Sequence, residues 1–141
     1  MHAWLYQMSV KYWRPEEYRT EVWEGQSITW ESSKITPRGL GEIESGDGIV
    51  LFFAPTANVD PGIYGWGIIH RYKRARNQIE FQVTYPSDYL KMDPIWNDED
   101  GEFDVIDLMR RIRGKATQGT MWGILPEELA EIRKMIRERL D

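Results

Sequence analysis

The chain lacks cysteine altogether and carries only two histidines, His2 and His70, in 141 residues. The absence of cysteine excludes a disulfide framework, a cysteine nucleophile and any thiolate zinc site. Two histidines so far apart are too few for a multi-histidine metal centre and argue against a histidine-based triad. One sits near the terminus, and the other lies in a basic strand, where a surface histidine is the plain reading. No apolar run approaches the length of a membrane span. The opening residues Met1 to Tyr6 have neither a charged region nor a long apolar region, so no signal peptide is read and a cytoplasmic protein is expected. Nor is there a phosphate-cradling glycine motif. Gly62, Gly65 and Gly67 have the wrong spacing and no helix after them. Asp98, Glu99 and Asp100 lack the ligand spacing and turn glycine of a calcium loop, so a solvated acidic loop is expected there. No metal and no cofactor are expected.

Positive charge is also in deficit. The formal net charge is −5, which argues against non-specific nucleic-acid binding over the whole surface but leaves room for a local basic face. What the chain has in excess is aromatic rings, with seven tryptophans and seven tyrosines. Such rings fill a core or serve as stacking platforms. The length suits one domain, spanning 1–141.

The pattern is organised around the polar turn Glu44-Ser45-Gly46-Asp47-Gly48 and the six apolar residues it launches, Ile49 to Ala54. A continuous apolar run of that length reads as a strand buried on both faces. Residues 62–69 read as its partner, with glycines that bend the strand or let another backbone approach. Before them, Trp4, Tyr6 and Met8 alternate along a first strand. Residues 15–23 read as a short helix opened by Pro15, and 28–35 as extended or irregular. After them, 65–73 turns from apolar to basic, and a turn falls near Asn77. Ile79, Phe81, Val83 and Tyr85 then alternate inward along an antiparallel strand. A long loop over 86–101 leads to an amphipathic helix over 104–113, whose end carries Arg110, Arg111, Arg113 and Lys115. A short strand near Met121 and Trp122 precedes a last helix from Pro126, with Leu129, Ile132, Ile136 and Leu140 on its buried face.

Trp30 stands in a polar stretch with Glu31, Ser32 and Ser33, Trp96 stands in a loop beside Asp93, and Trp13 and Trp23 flank the short helix. Each alone is more economically a core residue. Two tryptophans from different loops beside an aspartate and serines would suit a planar uncharged ring, with faces stacked and edges read by polar groups. Arg71, Lys73, Arg74, Arg76 and the basic residues from Arg110 to Lys115 could hold phosphates nearby. Their plain alternative is a solvated strand end and helix end.

In this order the residues resemble an EVE domain, a member of the PUA-like superfamily related to YTH and ASCH domains. The likeness rests on Trp4-Leu5-Tyr6, Trp30, Ile43 to Asp47 leading into Ile49 to Phe53, Tyr64 to Ile69, the arginine-rich helix end, and Gln118-Gly119-Thr120-Met121-Trp122 before Pro126. It covers nearly the whole chain. It implies an α+β fold, a small curved β-barrel of five to six strands with helices packed around it. It also implies a non-catalytic reader that holds a flipped modified base in an aromatic cage. By that likeness Trp30 is the cage tryptophan, and Trp96 or Trp13 closes the cage. Asp93, Pro94, Ser9, Ser32 and Ser33 then surround the base, and Gln118 joins Arg71, Lys73, Arg74, Arg76, Arg111, Arg113 and Lys115 at the backbone. The occurrence of such modules in modification-dependent restriction systems implies DNA over RNA, with a nuclease or motor as partner. The alternative is an ASCH-like hydrolase of a modified nucleoside, for which Lys34, Thr36 or Thr29, and Glu31 are the local candidates.

Overall fold

Every side chain from Gly48 to Phe53 is buried, as the apolar run requires, because this strand has neighbours on both edges and cores on both faces. The structure is a computed structural model that describes residues 2–8, 17, 25–31, 42–54, 61–84, 90, 94–95, 105–114 and 121–140. It contains β1 (Ala3–Gln7), β2 (Ser27–Glu31), β3 (Gly48–Phe53), β4 (Gly62–Lys73), a 3-10 turn (Arg74–Arg76), β5 (Gln78–Val83), α1 (Val105–Arg113), β6 (Met121–Ile124) and α2 (Pro126–Leu140). The fold is α+β, with one six-stranded sheet in the order β2-β5-β4-β3-β1-β6. Only β1 and β3 run parallel; the other neighbours are antiparallel. The predicted helix over 15–23 lies outside the described residues apart from Glu17, which is helical.

The sheet separates two cores. On one face Leu5, Val50, Phe52, Ile63 and Trp66 meet Val105, Leu108 and Ile112 of α1 and Leu129, Ile132 and Ile136 of α2. On the other, Trp4, Tyr6, Ile49, Leu51, Phe53, Tyr64, Ile69 and Phe81 pack among themselves. The second face is buried because the sheet rolls onto it. Strands β2 and β1 stand four steps apart, about 19 Å in a flat sheet. Yet the rings of Tyr6 on β1 and Trp30 on β2 meet edge-to-face at 5.5 Å between centroids. The curl does not become a closed barrel. Among the described residues, β2 pairs only with β5 and β6 only with β1, so both are edges of the hydrogen-bonded ladder. Side-chain contact draws the rolled sheet together where a barrel would use backbone hydrogen bonds.

Strand β4 carries both irregularities of the sheet's described ladders. Its first part pairs with β3 and its last part with β5, and each ladder has a register shift. The unmatched residues are Tyr64 and His70, both on β4, and each bulge increases local twist. Between them, a Cβ on Gly67 would lie 2.8 Å from the Gln82 carbonyl oxygen and 2.9 Å from Phe81 Cδ2. Glycine is therefore required where three strands press together. At the start of β4, Gly62 has φ of +139°, and a Cβ there would meet the Ile95 carbonyl oxygen at 2.6 Å. That close approach admits the bridge between Ile63 and Ile95.

Candidate functional site on the curved sheet

Cross-strand register builds the inner face in rows. Ile28, Phe81 and Ile69 make one row across β2, β5 and β4, and Trp30, Ile79 and Tyr72 make the next. The first row is closed off from solvent. In the second, Trp30 and Tyr72 are only partly buried, on either side of a fully buried Ile79. The row therefore forms a rim, with two aromatic rings about 10 Å apart at their backbones. Tyr6 closes on Trp30 from β1, and the indole Nε1 of Trp30 is withdrawn from solvent. Burial pushes the Tyr72 hydroxyl above its ordinary pKa. Arg74 draws it down, and Glu42 adds to the rise.

The polar turn before β3 locks the near end of this face. Asp47 is buried, and its carboxylate accepts three N–H groups: Trp4 Nε1 at 2.9 Å, the Glu44 backbone at 3.0 Å and the His2 backbone at 3.1 Å. Its own carbonyl accepts from the Ile69 N–H at 2.7 Å. One residue thus fastens β1, the turn and β4 together, as a buried carboxylate must if its oxygens are to be satisfied. Sequence reading finds the turn and misses this role. Its one signal is an acid beside glycine, just before a strand, with a tryptophan on a nearby strand to supply a donor.

The basic residues divide into two groups. Arg71 and Lys73 are exposed and sit on the opposite face of β4 from Tyr72, in line with Glu80 and Gln78 of β5. The bulge at His70 puts them there. Strict alternation from buried Ile69 would turn Arg71 and Lys73 inward and Tyr72 outward. Arg74 pairs with Glu42 at 2.6 Å, and Arg76 is exposed in the same turn. Arg111 and Arg113 lie on α1, on the helix side of the sheet. Arg111 is ion-paired with Asp107 and Glu131. Arg113 donates to Gln7 Oε1 at 3.2 Å and stands over the Phe52 ring at 5.4 Å. Burial, with Arg110 nearby, lowers its pKa.

The structure therefore sets Trp30 two strands from the basic end of β4, with β5 between them and Arg71 and Lys73 on the other face of the sheet, and places Arg111 and Arg113 apart on α1. Pro94 lies half-buried against the Gly62 backbone, beside the Ile95 bridge. Trp13, Trp96, Ser9, Ser32, Ser33, Asp93, Lys115, Gln118, Lys34 and Thr36 lie outside the described residues. Thr29 is exposed and alternates with inward-facing Ile28 and Trp30, so it belongs to the other face. Among the described residues no group of three acidic or histidine side chains could hold a metal. No described helix is long and apolar enough to cross a membrane.

Comparison with known proteins finds likeness at the level of fold. No protein-family model matches the chain, and no curated protein matches it either. Among solved structures, a hypothetical protein from Leishmania major is similar over 100% of this chain and 98% of its own, with 14% identity and a TM-score of 0.57. A protein from Pseudomonas putida is similar over 95% of this chain and 99% of its own, with 13% identity and a TM-score of 0.52. A third, from Pseudomonas syringae, has 12% identity and a TM-score of 0.51 over the same shares. At these identities what is shared is the arrangement of the chain.

Proposed function

We propose that this chain is a non-catalytic reader of a modified base in nucleic acid, DNA in preference to RNA, built on a PUA-like sheet of the EVE type. The observation that carries the reading is the rim row. Trp30 stands on an edge strand, partly buried against the inner core, two strands from Tyr72 and one residue from the β4–β5 hairpin end of the sheet. A planar base stacked on Trp30 would leave its phosphates near the β4–β5 hairpin, where Arg71, Lys73 and Arg76 are accessible. The sequence likeness to EVE domains supports the same tryptophan independently of the coordinates.

The energetics suit a reader of marked bases. Extruding a base from a duplex costs a few kcal/mol, and stacking on aromatic side chains returns about 1–3 kcal/mol per base. The two nearly cancel, so a buried methyl group worth about 1 kcal/mol decides which bases are held. Phosphate contacts or a tethered partner, a nuclease or a motor, supply the remaining affinity.

The test is binding of the wild type and Trp30→Ala to oligonucleotides that differ only in one modified base. The wild type is expected to prefer one modification, and the variant to lose about tenfold or more on that oligonucleotide while binding the unmodified one unchanged. Equal affinity of both proteins for every modified oligonucleotide would sink the reading.

A further inference from the structure

A groove lies away from Trp30, where the start of β1 and the end of β6 meet α2. It has a volume of about 340 Å³, and its lining includes His2, Ala3, Ile124, Leu129, Arg133 and Arg137. Its volume lies within the range of small-molecule sites. The floor is apolar: Ala3, Ile124 and Leu129 all belong to the helix-side core. One wall is a single stripe of α2, since Pro126, Ala130, Arg133 and Arg137 recur at helical spacing. Ala130 is the small residue of that stripe, and its short side chain keeps the groove open.

The charge on the wall is of one sign. Arg133 and Arg137 are one turn apart, about 6 Å. Arg133 stands over the Trp66 ring at 5.6 Å, a cation–π contact that leaves its N–H groups to donate. Three of the four acids of α2 are engaged elsewhere. Glu131 pairs with Arg111, Glu138 with Lys134, and Glu128 turns back to the helix start. In a chain with a net charge of −5, two arginines of one stripe over an apolar floor form a specific local field. We infer that this groove binds an amphipathic anion, a phosphate monoester or carboxylate held by Arg133 and Arg137 with its apolar body on Ala3, Ile124 and Leu129.

Octyl phosphate and octanoate are the probes, with octanol and inorganic phosphate as controls, titrated into the full chain. Binding is read by amide shifts at Ala3, Ile124 and Ala130. At least one octyl anion is expected to bind about tenfold or more tightly than octanol and inorganic phosphate, and which of the two binds better identifies the head group. Arg133→Gln with Arg137→Gln is expected to abolish that preference. Ala130→Leu fills the groove with the charges kept, and is expected to weaken the anion without touching oligonucleotide binding. Binding of octanol as tight as that of both anions, anion binding undiminished in the arginine variants, or shifts confined to residues outside the groove would each overturn the inference. Because Trp30 takes no part, the result stands apart from that of the modified-base experiment.

Discussion

Asp47 shows how much one side chain can hold. Its two carboxylate oxygens serve three donors, one of them the indole of fully buried Trp4. Asp47→Ala removes both carboxylate oxygens at once, and leaves the buried indole and two part-buried backbone N–H groups without this acceptor. The expected loss is about 3 kcal/mol, the penalty for orphaned buried donors, measured as a drop in denaturant midpoint at unchanged slope. A loss below about 0.5 kcal/mol would mean that other groups satisfy these donors. At the same scale, Trp30 and Tyr72 lie toward the ends of their strands and are only partly buried, unlike the other inner-face aromatics. One row further in, Ile28 and Ile69 occupy the equivalent places and are closed off from solvent.

Elements carry their own local logic. Strand β4 joins two halves of the sheet by means of two bulges and a glycine at the point of closest approach. Gly67→Ala drives a methyl group into the Gln82 carbonyl and the Phe81 ring, and neither is the end of a flexible chain that could swing aside. A cost of about 1–3 kcal/mol is expected from overpacking. Because the strain falls on the β4–β5 junction, hydrogen exchange is expected to rise most in β5. Unchanged exchange and stability would show that the strands part there easily. Helix α2 starts as its sequence predicts. Pro126 takes the first position, and Glu128 reaches back to accept from the Leu125 N–H at 2.8 Å, the reciprocal half of a capping box. That also explains why an acidic residue is buried at a helix start.

At the scale of the molecule, charge and shape set the terms for any polyanion. With Arg74, Arg111 and Arg113 engaged by Glu42, by Asp107 and Glu131, and by Gln7, the accessible cations at the β4–β5 hairpin reduce, among the described residues, to Arg71, Lys73 and Arg76. About three phosphate contacts give a slope of log K against log salt of about −3 or shallower. Titrating an oligonucleotide that carries the preferred base over a range of salt measures it. A slope steeper than about −6 would require a second basic surface and would move the backbone path away from the β4–β5 hairpin.

Whatever depends on neighbours along the chain can be read from the residues alone. The alternation of Trp4, Tyr6 and Met8, the apolar run of β3, the alternation of β5, the helical spacing of Val105, Leu108, Met109 and Ile112, and the proline-led start of α2 all appear where their patterns place them. Local geometry fixes these periods, so local residues reveal them. The tertiary structure decided which faces meet. The curl that brings Tyr6 to Trp30 leaves the ladder open, since among the described residues β2 and β6 do not pair with each other, and twist accumulates from strand to strand without a signature in any one segment. The bulges at Tyr64 and His70 reverse the parity of β4, and only pairing with β3 and β5 shows which residue is unmatched. Tyr72 therefore joins Trp30 at the rim, and Arg71 and Lys73 turn to the other face, against a simple reading of alternation. The three donors of Asp47 and the arginine stripe beside Ala3 and Ile124 arise in the same way. They depend on segments distant in sequence, brought together by packing that no local pattern records.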